Sequence, residues 1–407
     1  MIHCETGPNE PEQANCCQAL DFREPVGKAG FRGLAVAVAH AGLRVADLLA
    51  MFIHMKTAKS TLGLILVFLS VLAVASGSTN FSFKAEAYLT KLTHEEKFSG
   101  AVLVATNGNV IFANGYGLAN REHDIANTTN TIFRLASVTK QFTAMCILIL
   151  QEEHKLDVTN LISQYVEDCP EAWRAITIHH LLTHTAGIPG FTEFPDNLRF
   201  ERLPTTVEAT VGRFRDKPLD FEPGTKMRYS NSGYVLLGHI IQKVTGRSYG
   251  EFIAEKIFQP LGMKQSGYDH PANILPHRAA GYSRRGTNIV NCIPFAMDTP
   301  HAAGALYSTV HDMLIWDGAL HSDRLVSART LETMFTPFKN DYCYGWFHGN
   351  FGDRIGYGHA GGISGFATQV IRLPNDRVYI VALSNFDWAK SSDIAEELSL
   401  LLFNTQQ

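Results

Sequence analysis

The sequence predicts an α/β fold in which one sheet is built from both ends of the chain, with a mainly helical segment inserted between them. Short strand patterns joined by tight turns occur near residue 100 and again after residue 340. The segment from about 155 to 300 has helical patterns and few strand patterns. Helical patterns also flank the strands at both ends of this region. A single sheet with a helical insertion explains this order best.

The composition is that of an ordinary globular protein. The chain has 407 residues, of which 45% are hydrophobic and 18% charged, and its formal net charge is −4. This length suits one large domain or two smaller ones, and without basic blocks there is no indication of a nucleic-acid partner. Four cysteines follow residue 75, which allows three complete disulfide pairings, and no CxxC spacing indicates zinc. Cys146 lies in an apolar helix pattern, where we expect a buried thiol.

The N-terminal region contains a secretory-signal pattern that begins inside the chain. Residues 55–59 are partly basic, residues 62–72 are apolar, and Ala73-Val74-Ala75 has the small residues of a cleavage site. A bilayer span needs about 20 apolar residues, so we expect a cleaved signal peptide over 55–75 rather than a signal anchor or a buried helix. Because such signals begin at the initiator Met, Met55 is the expected start and residues 1–54 a disordered upstream extension. The mature protein is then secreted or periplasmic, with membrane contact only if the signal is retained.

One domain is expected over residues 80–405. Its first α/β part, 80–155, is predicted to contain an amphipathic helix, a β-hairpin turning at Asn107-Gly108, a polar loop over 120–130 and an apolar helix that opens at Ser137 and ends near His154. The predicted helical part, 156–299, and second α/β part, 300–405, complete the domain. Further helices are predicted over 176–187 (closing on Gly187), 204–215, 232–244, 248–258 (stopped by Pro260-Leu-Gly262), 308–320 and 392–402, and strands over 343–347, 354–358, 365–372 and 377–383.

Ser137 and Lys140 form a Ser-x-x-Lys pair at the start of the apolar helix. Residues three apart on a helix lie one above the other. A serine hydroxyl needs a neighbouring base to act as a nucleophile, and a lysine is such a base when it is partly neutral. Burial and the positive end of the helix dipole both lower the pKa of a lysine. The pair is therefore a candidate nucleophile and base, although a serine N-cap followed by lysine is also a common structural pattern.

Two later motifs supply further candidates. Tyr229-Ser230-Asn231 offers a phenol that relays protons and an amide that holds a substrate carbonyl, or else only a turn with an N-cap. His359-Ala360-Gly361-Gly362 lies on an apparent strand edge. There the glycines admit close approach to the backbone and a free N–H stabilises an oxyanion, or else the motif marks only a bulge.

Taken in order, Ser137-x-x-Lys140, Tyr229-x-Asn231 and His359-x-Gly361 resemble the motifs of the serine β-lactamase and penicillin-binding-protein superfamily. The resemblance is strongest to its class C β-lactamase-like branch, which includes DD-peptidases, esterases and D-aminopeptidases. It extends from about residue 98 to residue 385. Four secondary signatures agree with it, namely Leu181-Leu-Thr-His-Thr-Ala-Gly187, Pro223-Gly-Thr225, Pro260-Leu-Gly-Met263 and Ala303-Gly-Ala-Leu-Tyr-Ser308.

The resemblance implies a β-lactamase/transpeptidase-like fold, with a mostly antiparallel sheet flanked by helices, an inserted helical domain and a site in the cleft between them. It implies that Ser137 is the acylated nucleophile, with Lys140 as its proton acceptor or electrostatic partner. Tyr229 would relay protons to the leaving group and in deacylation, and family members differ in whether lysine or tyrosine is the base. Asn231 would hold the substrate carbonyl, and the N–H groups of Ser137 and Gly362 would form the oxyanion hole. No cofactor or metal is implied.

The third motif departs from the β-lactamase pattern. Lys-Thr-Gly or Lys-Ser-Gly is usual there, and its cation and hydroxyl bind the carboxylate of the drug. Here His359 and Ala360 replace both, and a histidine with an ordinary pKa of about 6.5 is mostly neutral. His359, Gly361 and Gly362 remain candidate substrate or oxyanion contacts. This departure favours peptidase or esterase activity over β-lactam hydrolysis.

The expected function is a secreted serine hydrolase that acts through an acyl-enzyme on a small ester, amide or D-amino-acid peptide. One alternative is a β-lactamase or penicillin-binding DD-peptidase of peptidoglycan. The other is a non-catalytic binding module with the same fold, although the presence of Ser137, Lys140 and Tyr229 argues against it.

Other residues near the motifs have two interpretations. His180 and His184 have the i, i+4 spacing of metal ligands and His179 precedes them, but no glutamate follows His180, so a metal is not expected. Lys226 and Arg228 precede Tyr229 and either meet an anionic substrate group or are solvated loop charges.

Overall fold

The computed structural model describes residues 80–270 and 272–404, all within one unit of the chain, Ser76–Gln407. The signal peptide and upstream extension predicted for residues 1–75 lie outside the described residues. Within the described residues, no helix has the length and apolar character needed to cross a membrane.

A six-stranded antiparallel sheet joins the two ends of the chain. The N-terminal hairpin is β1 (Gly100–Thr106) and β2 (Asn109–Tyr116), as predicted. β1 pairs along its length with a C-terminal strand, Gly100 opposite Ser384 and Thr106 opposite Val378. The prediction of one sheet built from both ends is therefore confirmed. The other described strands are β3 (Leu118–Asn120), β4 (Ile125–Ala126), β5 (Phe133–Arg134), β6 (Gly267–Tyr268), β7 (Tyr282–Arg285), β8 (Asn288–Asn291), β9 (Leu306–Ser308), β10 (Phe347–Phe351), β11 (Arg354–Ile363), β12 (Phe366–Leu373) and β13 (Val378–Ser384).

The order in this sheet is β10, β11, β12, β13, β1, β2, so the C-terminal strands lie together and β13 receives β1. β3 pairs with β4, β7 pairs with β8, and β9 lies between β5 and β6. The described helices are α1 (80–94), α2 (Thr139–Glu152), α3 (Ile178–Leu182), α4 (Asn197–Phe200), α5 (Val207–Arg215), α6 (Asn231–Thr245), α7 (Tyr249–Ile253), α8 (Gln259–Leu261), α9 (Val310–Ala319), α10 (Ala328–Phe335) and α11 (Ser391–Asn404).

Both faces of the sheet are covered, because successive side chains of a strand point to opposite faces. On one face, Val102 and Val104 of β1 belong to the apolar cluster that contains the buried residues of α1 and α11. On the other face, Ala101 and Leu103 belong to the larger cluster that contains α2, α6 and α9. α2 is the centre of that cluster, since every residue from Thr139 to Leu150 is buried.

The ends of several helices differ from the predictions because local turns precede or follow them. Ser137 lies in a 3₁₀ turn, Ala136–Val138, directly before α2 rather than inside the helix. α3 ends at Leu182 with Thr183 as its C-cap, so Gly187 closes a later turn instead. The helix predicted over 248–258 continues through a π-helical turn over 254–258 into α8, which includes Pro260, and it ends within the predicted stop Pro260-Leu-Gly262. Gly262 ends α8 with φ 77°.

Among the other elements, one predicted strand begins later than expected and several short elements were not predicted. The strand expected over 343–347 begins only at Phe347, because Cys343 N–H and Trp346 O close a tight turn at 2.7 Å. The polar loop over 120–130 contains the short β3–β4 pair. The hairpin β7–β8 and helix α10 had no clear pattern, since the hairpin is largely polar.

The four cysteines of the described residues are free thiols, namely Cys146, Cys169, Cys292 and Cys343. Cys146 is fully buried, as expected from its place in α2, and burial raises its pKa.

Candidate active site

Ser137 is presented by a strained turn between β5 and α2. The preceding Ala136 has φ 49°, a left-handed conformation that is unfavourable for a residue other than glycine. Two hydrogen bonds made by the backbone of Leu135 hold this turn in place. The Leu135 N–H donates to Leu306 O at 2.8 Å, and the Thr368 hydroxyl donates to Leu135 O at 2.9 Å. Ser137 itself is partly exposed and lines a cavity of about 270 Å³.

Lys140 is fully buried directly behind Ser137. Its Nζ lies 3.0 Å from Ser137 Oγ, 2.9 Å from Asn231 Oδ1 and 2.9 Å from Ala303 O. Burial lowers the pKa of Lys140 well below its usual 10.5, and among the described residues no carboxylate forms an ion pair with it. Lys140 is also the second residue of α2, at the positive end of the helix dipole.

The three partners of Lys140 suit both of its protonation states, because an ammonium donates one N–H to each of the three oxygens. The oxygens of Asn231 and Ala303 are carbonyl oxygens and only accept hydrogen bonds. A neutral amine has two N–H groups, which these oxygens take up, and one lone pair, which remains for the Ser137 hydroxyl proton. This arrangement is able to move a proton from Ser137 Oγ to Lys140 Nζ.

Tyr229 approaches the same two residues from the loop before α6. Lys140 Nζ lies 4.8 Å from the centroid of its ring. The Tyr229 hydroxyl is buried, and no partner within the described residues meets hydrogen-bond geometry with it. Burial raises the pKa of Tyr229, and the nearby Ser137 hydroxyl opposes that rise. A protonated phenol with an unused O–H therefore lies beside Ser137.

Removal of the Tyr229 hydroxyl is expected to lower activity without lowering stability. If the phenol relays protons, Tyr229→Phe should reduce kcat by about 10²-fold or more with little change in KM. Its hydroxyl has no partner in the described residues, so the unfolding free energy should fall by no more than about 0.5 kcal/mol or should rise. Steady-state kinetics and urea unfolding measure the two effects.

Tyr234→Phe is the matched control for this prediction. The Tyr234 hydroxyl is buried and donates to Leu182 O at 3.0 Å. Its loss should cost about 1 kcal/mol of stability and leave kcat near wild type. Equal kinetic effects of the two variants would contradict a specific role for Tyr229.

Asn231, the first residue of α6, is held at both ends of its amide. Its Oδ1 accepts from Lys140, and its Nδ2 donates to Thr192 Oγ1 at 3.2 Å. One Nδ2 proton remains for a ligand, because the side chain also lines the Ser137 cavity. Asn231 therefore orients Lys140 in addition to the carbonyl contact expected from the sequence.

The third motif lies where β11 extends beyond its neighbour. The last pair between β10 and β11 joins Phe347 to Gly358, and β11 continues to Ile363. A Cβ on Gly361 would lie 2.3 Å from both Leu135 O and Thr368 Oγ1. Only glycine therefore allows the strand to lie against the turn that carries Ser137. Gly362 is open on its side-chain face and lines the cavity with Ser137.

Gly361→Ala is expected to damage this contact, and Gly362→Ala is the matched control one residue away. The new Cβ of Gly361→Ala meets backbone, which cannot move like a side-chain tip, so the unfolding free energy should fall by about 2 kcal/mol or more. A Cβ on Gly362 meets nothing within 4 Å. Thermal unfolding should therefore show a large loss for the first variant and little for the second, and equal losses would contradict the close approach.

His359 is placed differently from the other candidates. Its Nδ1 donates to Ala360 O at 2.6 Å and its Nε2 faces the Tyr342 hydroxyl at 3.3 Å. Burial, with a smaller effect from Lys140, lowers its pKa to about 3, so the ring is neutral near pH 7, as the sequence indicated. His359 does not line the Ser137 cavity. It lines a second cavity of about 350 Å³, to which Tyr229 also contributes.

His184 supports Tyr229, a role that sequence reasoning missed. The two ring centroids lie 4.3 Å apart, and His184 Nδ1 accepts from the Ser230 N–H at 3.1 Å. The proton of the neutral ring is therefore on Nε2. The signal was the Leu-Leu-Thr-His-Thr-Ala-Gly signature, whose histidine packs against the Tyr-x-Asn motif.

The neighbouring charged and titratable side chains have structural partners. His179 Nδ1 lies 2.7 Å from the Tyr344 hydroxyl, and within the part of the chain that the structure describes no group of His, Cys, Asp and Glu is arranged to hold a metal. Arg228 forms ion pairs with Glu193 and Asp220, which favours the loop-charge interpretation for it.

The cavity beside Ser137 carries one charged side chain among the described residues that line it, Glu201. Asn231 and Gly362 lie on its wall with Ser137, and Asn197 and Thr299 complete its polar lining near Glu201. No sequence motif pointed to Asn197, Glu201 or Thr299.

Comparisons with known proteins agree with this fold. A family model described as Beta-lactamase matches residues 85–401. Penicillin-binding protein 4* of Bacillus subtilis (strain 168) is 30% identical over 333 residues, which cover 76% of this chain and 72% of that protein.

Two solved structures are similar over most of the chain. A penicillin-binding protein from Bacillus halodurans superimposes with a TM-score of 0.69 at 27% identity, covering 77% of this chain and 98% of the other. A D-stereospecific amidohydrolase from Streptomyces sp. gives a TM-score of 0.67 at 25% identity, with coverage of 77% and 97%. The chain therefore belongs to the β-lactamase family of serine hydrolases and has the β-lactamase/transpeptidase fold.

Proposed function

We propose that this protein hydrolyses a small ester, amide or D-amino-acid peptide through an acyl-enzyme on Ser137. The observation that carries the proposal is Lys140, a fully buried lysine with a lowered pKa whose Nζ lies 3.0 Å from Ser137 Oγ. A buried lysine without a carboxylate partner is costly to retain for structure alone.

The proposed first half-reaction acylates Ser137. Ser137 Oγ attacks the substrate carbonyl carbon while Lys140 Nζ takes the hydroxyl proton. The N–H groups of Ser137 and Gly362 stabilise the oxyanion. When the intermediate collapses, the Tyr229 hydroxyl protonates the leaving amine or alcohol, and Lys140 returns a proton to the tyrosine.

The proposed second half-reaction is the reverse with water. Water attacks the Ser137 ester and loses a proton to the Tyr229–Lys140 pair, and the acid leaves as Ser137 Oγ is reprotonated. Tyr229 therefore acts in both halves, which is why its unpaired hydroxyl matters to the proposal.

The lining of the cavity favours esters, amides and peptides over β-lactams. No lysine or arginine is among the described residues that line it, and the third motif has a neutral His359 and Ala360 in place of a cation and a hydroxyl. Among these described lining residues, a substrate carboxylate has no cationic partner. Similarity to a D-stereospecific amidohydrolase supports the amide class.

A second candidate is a penicillin-binding DD-peptidase or β-lactamase of peptidoglycan. The observation that favours it is the 30% identity to Penicillin-binding protein 4* over most of both chains. Either activity would suit a secreted or periplasmic protein, and we propose export on the signal pattern of residues 55–75.

One substrate panel tests both candidates. The full chain and its Ser137→Ala variant are assayed with a nitrophenyl ester, amino-acid amides of both configurations, a D-Ala-D-Ala peptide and a chromogenic cephalosporin. The proposal expects Ser137-dependent turnover of ester or amide well above that of the cephalosporin. Faster cephalosporin turnover would support the second candidate, and no turnover of any substrate would contradict both.

A further inference from the structure

The cavity beside Ser137 contains a carboxylate that forms no ion pair with a cation of the described residues. Glu201 is half-buried and makes no ion pair among the described residues. Its Oε2 accepts from Asn197 Nδ2 at 2.8 Å. Arg202 follows it in the chain and interacts with it only at longer range. Most buried carboxylates are paired, so an unpaired one at a substrate cavity points to a ligand.

Asn197 adds a buried acceptor without a partner. Its side chain is 8% exposed, and its Oδ1 is buried with no hydrogen bond in the described part of the chain. A carboxylate only accepts, so the NH₂ end of the amide must face Glu201. The carbonyl oxygen of the Asn197 amide is therefore the atom without a hydrogen bond among the described residues, and Asn197 lines the cavity.

Thr299 adds a second unpartnered oxygen in the same region. Its side chain is 1% exposed, and its Oγ1 finds no partner within the described residues. The Ala296 N–H donates to Glu201 O at 2.7 Å, and the Thr299 N–H donates to Ala296 O at 3.0 Å, which ties this turn to Glu201. Thr299 also lines the cavity.

The other polar side chains on the wall leave fewer acceptors free, and the spare Nδ2 proton of Asn231 is a donor. The Ser364 hydroxyl donates to Ile293 O at 2.8 Å, and Thr192 Oγ1 accepts from Asn231. Near Glu201, the unused acceptor oxygens among the described residues therefore belong to three side chains, one of them negatively charged. A primary ammonium has one positive charge and three N–H donors and no acceptor, which is the chemical complement of this set.

We propose that Glu201, Asn197 and Thr299 form a subsite for a primary ammonium group on the substrate, so that the protein cleaves amides, esters or peptides of amino acids whose amino group is free. This inference rests on the proposed hydrolase function, because the subsite shares its cavity with Ser137. An uncharged N-acyl group at the same position would supply one donor, lack the charge and leave acceptors unpaired, so blocked substrates should react poorly.

The test compares matched substrates that differ only at the amino group. Alanine p-nitroanilide and N-acetyl-alanine p-nitroanilide, each in both configurations, are assayed with wild type, Glu201→Gln and the control Glu332→Gln. Glu201→Gln keeps the side-chain size and an oxygen for Asn197, and Glu332 is an exposed residue of α10.

Wild type should prefer the free amine, and Glu201→Gln should lower kcat/KM for the free amine by about 10- to 100-fold, the loss expected for a charge-assisted hydrogen bond. The same variant should leave kcat/KM for the N-acetyl substrate within about 3-fold of wild type, because that substrate has no ammonium group for Glu201 to bind. Glu332→Gln should change neither. Turnover of the N-acetyl substrate also serves as the check that each variant is folded.

The outcomes separate this inference from the function on which it rests. If wild type cleaves neither the anilides nor simple esters, the proposed hydrolase function is wrong. If wild type cleaves the N-acetyl substrate as well as the free amine, the ammonium subsite is wrong and the hydrolase proposal stands. If Glu201→Gln lowers both substrates equally, Glu201 is structural and the subsite is again wrong.

Discussion

Replacing Ser137 by alanine is expected to lower kcat/KM for ester or amide hydrolysis by at least about 10⁴-fold, since a nucleophile acts as one unit with its base and its loss removes the whole unit. Ser137 Oγ is the only hydroxyl within 3.0 Å of Lys140 Nζ in the described residues, so no neighbouring side chain is placed to replace it. The fold should survive, because a partly exposed hydroxyl is lost and no cavity is created. Steady-state kinetics and thermal unfolding measure both effects.

Ser364→Ala is the matched control for this variant. Ser364 lines the same cavity, but its hydroxyl is bound to Ile293 O and not to a base. Its replacement should change kcat/KM by less than about 10-fold. A Ser137→Ala enzyme with more than a tenth of wild-type activity would contradict the nucleophile assignment.

Replacing Lys140 by methionine is expected to lower kcat by about 10³-fold or more. Methionine has nearly the same length and no proton to exchange, so the variant removes the base while it fills the buried space. Asn231 Oδ1 and Ala303 O lose their donor, and a fall of about 1–3 kcal/mol in unfolding free energy is expected with the loss of activity. The exposed Lys226→Met is the control and should leave both quantities unchanged.

The pH dependence of wild type provides a second test of Lys140. Its neutral form is the active one, so kcat/KM should fall as pH is lowered through the pKa of the lysine. Because burial lowers that pKa, the plateau should be reached well below the pH of about 10.5 at which a solvated lysine becomes neutral. His359, with a pKa of about 3, does not titrate in that range. A rate that still rises steadily toward pH 10.5 would contradict a buried neutral base.

The parts of the site that could be predicted from the sequence are those set by short-range geometry. Ser137 and Lys140 are three residues apart at the start of a helix, and Tyr229 and Asn231 flank the start of another. Spacing alone therefore indicated that Ser137 and Lys140 lie close together. The strands at each end of the chain were predictable for a similar reason, because apolar patterns of period two and tight turns are local features.

The parts that could not be predicted depend on contacts between distant segments. Asn197 and Glu201 lie in and after a four-residue helix that has no periodic pattern, and they reach the cavity only because the segment ending at Thr299 packs beside them. The role of His184 depends on a ring 45 residues away in sequence, and the role of Gly361 depends on the backbone of Leu135. Such contacts follow from tertiary packing, which no single motif encodes.

The central claim is that Ser137 is the activated nucleophile, and a covalent label tests it most directly. The full chain and the Ser137→Ala variant are treated with a fluorophosphonate, which forms a stable ester with an activated serine, and are then digested and analysed by mass spectrometry. The account predicts one adduct, on the peptide that contains Ser137, and none on that peptide in the variant. An adduct on another residue that persists in Ser137→Ala, with Ser137 unmodified in wild type, would contradict it.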